Sequence, residues 1–213
     1  MMRVKVCGIQ DEAGALAAAE AGADAVGLIL AQGRRQIDPA RARRIAASLP
    51  PFVTRVGVVV NEPLDRLRAL VDAVRFDVVQ LHGDEDAAYC EAVRAWGVPV
   101  IKAVQVAGPL DVTRLRALPV SAVLLDTYRS GQRGGIGEPF DWRLAAPVAR
   151  VMPVILSGGL NPDNVAAGIA AVRPYGVDAS SGLETAGRKD PVKIRAFVAA
   201  ARAAGAAMAE VPK

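Results

Sequence analysis

The chain has 213 residues, 52% of them hydrophobic, and a formal net charge of +4 at pH 7. That length can bury one large core, no apolar run approaches the roughly 20 residues needed to cross a bilayer, and the scattered basic residues form no nucleic-acid footprint. The two cysteines, Cys7 and Cys90, fit neither a zinc spacing nor a disulfide framework. We therefore expect one cytoplasmic domain over residues 1–213, with its last ~10 residues ordered or frayed, and neither a membrane nor a nucleic-acid partner.

Eight short runs rich in valine, isoleucine and leucine occur along the chain. Most of them are continuously apolar, which is typical of strands covered on both faces in a parallel sheet. The runs begin at Arg3, Asp24, Arg55, Asp77, Pro99, Ala122, Pro153 and Gly176.

Segments with helical periodicity lie between these runs. Residues that cap a helix or fit its first turn mark three of the helix starts: Asp11, the pair Asp38–Pro39 and the pair Asn161–Pro162. A last helix is predicted from Pro191, because the apolar residues that follow it recur on one face. Strands and helices therefore alternate along the chain.

Eight alternating strand and helix units predict a closed (β/α)₈ barrel, in which an outer ring of helices covers eight parallel strands. A doubly wound open sheet is the main alternative. That fold usually carries a glycine-rich dinucleotide fingerprint after the first strand, and the segment VCGIQDEAG supplies none. The barrel also predicts that the active site lies at the carboxyl ends of the strands.

Glycine-rich loops follow the seventh and eighth strands, in the segments LSGGLNPDN and DASSGLE. Barrel enzymes frequently hold a phosphate group on backbone N–H groups at this position, and glycine lets the backbone approach the anion closely. Either loop alone is equally consistent with an ordinary turn. Their occurrence on adjacent strands favours a phosphate site that includes Gly158, Gly159 and Gly182.

Two strand ends carry groups suited to proton transfer. Asp126 ends a buried run, where partial burial would favour the protonated form of an acid, although its position taken alone slightly favours a capping or turn aspartate. Cys7 ends the first strand directly before Gly8. A free cysteine is most often a small buried hydrophobe, but nearby positive charge would lower its pKa from about 8.5 and make it a base.

Other polar residues have simpler interpretations. Cys90 lies in the middle of a predicted helix and is interpreted as packing, and His82, the only histidine, as a contact to substrate or loop. Lys5 shares a strand face with Cys7 and therefore points into the barrel, where a lysine needs a carboxylate partner. Since the eighth strand neighbours the first in a closed barrel, we hypothesise an ion pair between Lys5 and Asp178.

The ordered set of segments resembles the phosphoribosylanthranilate isomerase family, barrel enzymes of tryptophan biosynthesis. The similarity extends from about residue 3 to about residue 198. It is carried by KVCGI, ADAVGLIL, a rim arginine in GRRQI, RVGVVVN, VQLHG, LLDT, GGIGEPFDW, LSGGLNPDNV and VDASSGLE followed by GRKD. Two details depart from the family pattern: Ile136 in GGIG, where threonine or serine is common, and the lack of a serine two residues before the rim arginine.

The resemblance implies an Amadori rearrangement of N-(5-phosphoribosyl)anthranilate to 1-(2-carboxyphenylamino)-1-deoxyribulose 5-phosphate, with no metal or organic cofactor. Cys7 would be the general base and Asp126 the general acid. Arg35 would hold the anthranilate carboxylate, with Arg34 as the adjacent alternative. The other substrate contacts that the resemblance implies are His82, Gly158, Gly159, Ser180 and Ser181. The expected partner is a small phosphoribosyl compound, and both a monomer and a homodimer stay open.

Three alternatives remain. An indoleglycerol-phosphate synthase would place lysine and glutamate around the mouth, whereas Lys5 and Lys102 are better interpreted as strand-lining residues. An isomerase of the ribosyl-carboxamide intermediate of histidine synthesis would use two aspartates, and Cys7 occupies the position of the first. A non-catalytic phosphosugar-binding protein would have no need for both a cysteine and an aspartate at the rim.

Overall fold

The computed structural model describes residues 1–127 and 139–209. Eight parallel strands close into a barrel in which each strand pairs with the next along the chain, and the last pairs with the first. This confirms the predicted (β/α)₈ barrel. The strands are β1 Arg3–Cys7, β2 Ala25–Ile29, β3 Thr54–Val59, β4 Val78–Leu81, β5 Val100–Val106, β6 Ala122–Thr127, β7 Val154–Leu156 and β8 Gly176–Ala179.

Helices surround the barrel and connect successive strands. None of the described helices combines the length and the apolar character needed to cross a membrane. A two-stranded hairpin, β9 Glu184–Thr185 with β10 Arg188–Lys189, follows β8. The helices are α1 Glu12–Glu20, α2 Pro39–Ser48, α3 Leu64–Val74, α4 Ala87–Arg94, α5 Val112–Arg116, α6 Ala146–Ala149, α7 Val165–Val172 and α8 Pro191–Ala209.

Two of the three predicted helix starts have the expected aspartate cap. The Asp11 carboxylate accepts a hydrogen bond from the Gly14 amide, and Asp38 caps α2 in the same way, as expected. The predicted start at Asn161 is wrong, because α7 begins at Val165. The Asn161 side chain instead accepts hydrogen bonds from the amides two and three residues later, which stabilises a turn that precedes the helix.

Side chains on the strands alternate between two separate hydrophobic regions. One set lies between the sheet and the helices, and it includes Val4 and Val6 of β1. The other set lies inside the barrel, where Ile101, Ala103 and Leu124 belong to one small cluster. Because Lys5 and Cys7 alternate with Val4 and Val6, both point into the barrel.

Candidate active site

The first strand delivers the Cys7 thiol to the mouth of the barrel. Cys7 is the last residue of β1 and is 6% exposed. Gly8, with φ +75°, then turns the chain away. On the neighbouring strand β2, a Cβ added at Gly27 would lie 2.6 Å from the Cys7 Sγ atom. The thiol therefore fills the space that a side chain at Gly27 would need, on the inner face of the barrel.

A buried ion pair lies directly below this thiol. The Nζ atom of Lys5 is 2.9 Å from Oδ1 of Asp178, and the side chains are 5% and 6% exposed. The register of β1 with β8 sets Lys5 opposite Asp178, and the Ser157 hydroxyl donates to the second carboxylate oxygen at 3.4 Å. The predicted pairing of Lys5 with Asp178 is therefore confirmed.

The charges around Cys7 act on the thiol in opposite directions. Burial raises the pKa of the Cys7 thiol, and the positive charge of Lys5 works against this increase. Burial alone would lower the pKa of Lys5, but Asp178 and the thiol outweigh it and raise that pKa. Lys5 therefore stays protonated beside the sulfur atom.

The sixth strand places a carboxylate at the same end of the barrel. Asp126 is 4% exposed, and its Oδ1 atom accepts a hydrogen bond of 2.9 Å from the Thr127 amide. The Nε2 atom of His82 lies 3.4 Å from Oδ2 of Asp126. On the other side of the imidazole ring, the Gln80 amide nitrogen is 2.9 Å from Nδ1. A donor at Nδ1 leaves the ring proton on Nε2, which lies near the carboxylate but forms no hydrogen bond within the described part of the chain.

A second buried ion pair, Lys102 with Glu85, stabilises the loop that carries His82. Lys102 donates to Glu85 at 3.1 Å and to the carbonyl oxygen of Gly83 at 2.8 Å. Glu85 in turn accepts from the amides of Asn61 and Gly83. Lys102 lies between interior-facing neighbours on β5, so its side chain is on the helix side of the sheet. It is strand-bound, as expected, but it does not line the barrel interior.

Three cations converge on Glu184 beside the Cys7 turn. Arg35 binds the Glu184 carboxylate with two nitrogens, at 2.6 and 3.1 Å, while Arg34 contributes a contact of 2.6 Å and Lys189 one of 3.1 Å. Arg35 is 12% exposed and Arg34 57% exposed. A Cβ added at Gly8 would lie 2.6 Å from Cδ of Arg35, so Arg35 is the arginine that crosses over the turn after β1.

This cluster carries more positive than negative charge. Burial alone would raise the pKa of Glu184, but the hydrogen bonds from Arg35 and Arg34 and the charge of Lys189 outweigh it and lower the pKa to about 2. Burial lowers the pKa of Lys189, against the effect of Glu184. Lys189 also donates to the carbonyl oxygen of Ser180 at 2.9 Å. One carboxylate thus organises three cations next to the loop after β8, an arrangement suited to an anionic ligand.

The loops after β7 and β8 lie side by side and touch. Gly158 and Gly159 adopt φ values of +79° and +67°, which favour glycine. Their backbone N–H groups donate to no acceptor among the described residues. A Cβ added at Gly182 would lie 2.2 Å from the carbonyl oxygen of Leu160, so glycine is needed where the loops meet. Ser180 directly follows β8, and Ser181 begins a short 3₁₀ turn, Ser181–Leu183.

Several residues near the site differ in how far the sequence indicated their roles. Cys90 is 0% exposed in α4, which confirms it as packing. The segment 134–137, with its departure at Ile136, and the last four residues of the tail lie outside the described residues. Glu184 and Lys189 were assigned no role from the sequence, although both stand in the segments that carry the family resemblance, VDASSGLE and GRKD. Gln80 was also missed, and its signal was its position two residues before His82 on the same strand face.

Comparison with known proteins gives one consistent result. The family model described as N-(5'phosphoribosyl)anthranilate (PRA) isomerase matches residues 4–200. The N-(5'-phosphoribosyl)anthranilate isomerase of Desulforudis audaxviator is 48% identical over 206 residues, which cover 96% of this chain and 100% of the relative.

Solved structures of the same family are similar in fold. The phosphoribosyl anthranilate isomerase of Thermus thermophilus has a TM-score of 0.87 and 41% identity, and the match covers 95% of this chain and 99% of that one. A phosphoribosyl anthranilate isomerase in complex with reduced 1-(o-carboxyphenylamino)-1-deoxyribulose 5-phosphate has a TM-score of 0.84 and 42% identity, covering 95% of this chain and 100% of that one.

Proposed function

The chain belongs to the N-(5'-phosphoribosyl)anthranilate isomerase family, and from this premise we propose how its residues perform the isomerisation. The protein is an enzyme of tryptophan biosynthesis that acts on a small phosphoribosyl compound. The product that we propose is 1-(2-carboxyphenylamino)-1-deoxyribulose 5-phosphate. Cys7 is the general base of this reaction, and Asp126 is the general acid.

One observation carries the assignment of acid and base. Cys7 ends β1 and Asp126 stands near the end of β6, and both face the inside of the barrel at its carboxyl end. β1 and β6 are three strands apart around the ring, so a sugar that lies across the mouth can meet the two groups at different atoms. The isomerisation needs this separation, because one proton is delivered to the ring oxygen and another is removed from C2.

The first step opens the sugar ring. The protonated Asp126 carboxyl group gives its proton to the ring oxygen, the bond from that oxygen to C1 breaks, and the anilino nitrogen supplies its electron pair to form an iminium. The carboxylate that remains accepts the hydrogen bond from the Thr127 amide, and the His82 ring lies beside it with Nε2 3.4 Å from Oδ2. His82 therefore works as a positioning residue that orients the acid.

The second step moves the double bond. The Cys7 thiolate removes the proton from C2, and the electron pair neutralises the iminium to give an enolamine, which becomes the ketone when C1 is protonated. When C1 is protonated, the C2 hydroxyl loses its proton and becomes the carbonyl group. Atoms and charge then balance, since the ring oxygen and C1 each gain one proton, while C2 and its hydroxyl each lose one. No oxidant, reductant or metal takes part in the scheme.

The two anionic ends of the substrate have matching groups on the protein. We assign the anthranilate carboxylate to Arg35 rather than to Arg34, because Arg35 lies over the turn next to Cys7 and its planar guanidinium can donate two parallel hydrogen bonds. The phosphate group is assigned to the amides of Gly158 and Gly159 and to Ser180 and Ser181.

The working compartment is also part of the proposal. Both cysteines are free and buried. Unpaired thiols of this kind suit a reducing compartment, and a biosynthetic isomerase draws its substrate from the metabolite pool there. We therefore assign the protein to the cytoplasm.

A fluorescence assay tests the acid and base directly. The anthranilate group is fluorescent and its signal changes during the rearrangement, so turnover of N-(5-phosphoribosyl)anthranilate can be followed continuously. We expect Cys7→Ser and Asp126→Asn each to lower kcat by about a hundredfold or more. The matched control Cys90→Ser should retain turnover, since that thiol only packs in α4. Full turnover in either of the first two variants would overturn the mechanism.

A further inference from the structure

Lys5 and Cys7 share one small space on the inner face of the barrel. They are two residues apart on β1, so their side chains leave the strand on the same side. A Cβ added at Gly27 would lie 2.6 Å from the Cys7 Sγ atom and 3.1 Å from the Lys5 Nζ atom. Gly27 thus leaves room for both groups, and the ammonium lies beside the sulfur atom.

Asp178 holds the ammonium in this position. The contact of 2.9 Å between Lys5 and Asp178 joins neighbouring strands in register, and both side chains are almost fully buried. A buried ion pair contributes little net stability compared with apolar side chains of the same volume. Its distinctive physical effect is the field that it places on the adjacent sulfur atom.

Within residues 1–127 and 139–209, three charged groups have the main effects on the thiol. These groups are Lys5 from β1, Asp178 from β8 and Lys189 from β10. On the remaining sides, β2 contributes Gly27 and β3 contributes the apolar residues that cluster with Cys7, Val56 and Val58. Lys5 is thus the cation that exerts the largest favourable effect on the charged form of the sulfur.

We propose that Lys5 is a positioning residue for the general base: its ammonium group, oriented by Asp178, stabilises the Cys7 thiolate. The inference rests on the proposed function of Cys7 and adds to it the groups that allow a buried thiol to lose its proton. The arrangement follows the general logic of an activated nucleophile or base, in which a third group orients the partner of the reacting atom.

The proposal predicts opposite effects for the two partners. In Lys5→Met the thiol loses a cation and keeps the Asp178 carboxylate, so the pKa of Cys7 should rise by about one unit or more. At a pH below that pKa, the variant should contain about tenfold less thiolate than the wild type. In Asp178→Asn the thiol keeps the cation and loses the anion, so its pKa should fall. The conservative variant Lys5→Arg should retain most of the thiolate of the wild type.

The experiment measures the thiol without using turnover. The purified enzyme is treated with iodoacetamide over a range of pH, and alkylation of the Cys7 peptide is quantified by mass spectrometry. The midpoint of the alkylation rate plotted against pH gives the pKa of the thiol, because limited access of the reagent lowers the rate equally at every pH. Cys90 in the same chain is the internal control, and its alkylation should be equal in all variants that are folded. The midpoint of the acid limb in the plot of kcat/KM against pH should shift between variants by the same amount as the midpoint of Cys7 alkylation.

Structural damage would give a different pattern from the electrostatic effect. Loosened packing would expose the thiol and change its midpoint in the same direction in Lys5→Met and Asp178→Asn, and it would also increase the alkylation of Cys90. Lys102→Met removes a buried lysine from the other face of the sheet and should leave the midpoint of Cys7 unchanged. If Lys5→Met or Asp178→Asn does not fold, the double variant Lys5→Met/Asp178→Asn, which removes both charges, should show a raised midpoint.

The results separate this inference from the proposed function. If the midpoint of Cys7 alkylation against pH is unchanged in Lys5→Met or in the double variant, the role of Lys5 is overturned. This holds even if Cys7→Ser is inactive. A shifted midpoint together with full turnover in Cys7→Ser would instead overturn the role of Cys7 as base.

Discussion

Glu184 makes a contribution to stability that depends on pH and can be isolated by one substitution. Its carboxylate binds Arg34, Arg35 and Lys189, and its side chain is 6% exposed. Glu184→Gln keeps the shape of the side chain and one oxygen acceptor but removes the negative charge. The three cations are then left facing one another without compensation.

The lowered pKa of Glu184 gives the expected size of the effect. The pKa falls from a usual 4.5 to about 2, and each pKa unit corresponds to about 1.4 kcal/mol, which gives an upper value of about 3.5 kcal/mol. Because Arg34 is 57% exposed, counterions screen its share, and we expect about 2 kcal/mol. The folded-state pKa is below the unfolded-state pKa, so this contribution is fully present above about pH 4.5 and is lost as the pH falls through about 2.

Equilibrium urea unfolding of the wild type and of Glu184→Gln measures the difference. The free energy of unfolding of the variant should be lower by about 2 kcal/mol near pH 7, and this gap should shrink progressively below about pH 4.5. Other carboxylates titrate in both proteins and cancel in the comparison. Glu91→Gln, at an exposed pair with Arg94, is the matched control and should change little at any pH. A gap of constant size from neutral to acidic pH would refute the reasoning.

Three further substitutions test the packing and the anion contacts. Gly27→Ala should displace the Cys7 sulfur, because the new Cβ would lie 2.6 Å from it. We expect the free energy of unfolding to fall by about 1–3 kcal/mol and kcat to fall as well. If unfolding and turnover both match the wild type, the close contact between Gly27 and Cys7 is contradicted. In Gly158→Ala the new Cβ would lie 2.4 Å from a threonine hydroxyl on β6. Because the loop after β7 must then move, KM should rise and inhibition by inorganic phosphate should weaken. If both values are unchanged, the assignment of the substrate phosphate to this loop is contradicted. Arg35→Lys should raise KM by about tenfold or more because bidentate binding is lost. Arg34→Lys is its control, and an equal effect in both would contradict the choice of Arg35.

The barrel and one of its buried contacts could be predicted because they depend on periodicity and closure. Apolar runs alternating with amphipathic segments determine a sheet covered by helices, and closure makes the eighth strand a neighbour of the first. The alternation of side chains along β1 then directs Lys5 into the barrel. The acidic residue opposite it on β8 whose side chain also points into the barrel is Asp178. The same argument, applied to β5, would have placed Lys102 on the helix side.

Contacts across the mouth were less accessible from the sequence. His82 directly follows β4, and Asp126 lies on β6. These two strands are not adjacent, and only the curvature of the closed barrel brings Nε2 of His82 to 3.4 Å from Oδ2 of Asp126. Glu184 and Lys189 belong to a hairpin of two-residue strands, which is too short to show any periodicity. Loop-borne residues of this kind are positioned by tertiary packing, so the sequence indicated the segments but not the cluster that they form.

A crystal structure with reduced 1-(o-carboxyphenylamino)-1-deoxyribulose 5-phosphate, the compound bound in a related isomerase, tests the central claim most directly. We predict that the Cys7 Sγ atom lies about 3–3.5 Å from the carbon that corresponds to C2 of the sugar. The Asp126 carboxylate should lie about 2.6–3.2 Å from the hydroxyl derived from the ring oxygen. A ligand bound with C2 away from the sulfur, or with that hydroxyl out of reach of Asp126, would contradict the assignment of base and acid.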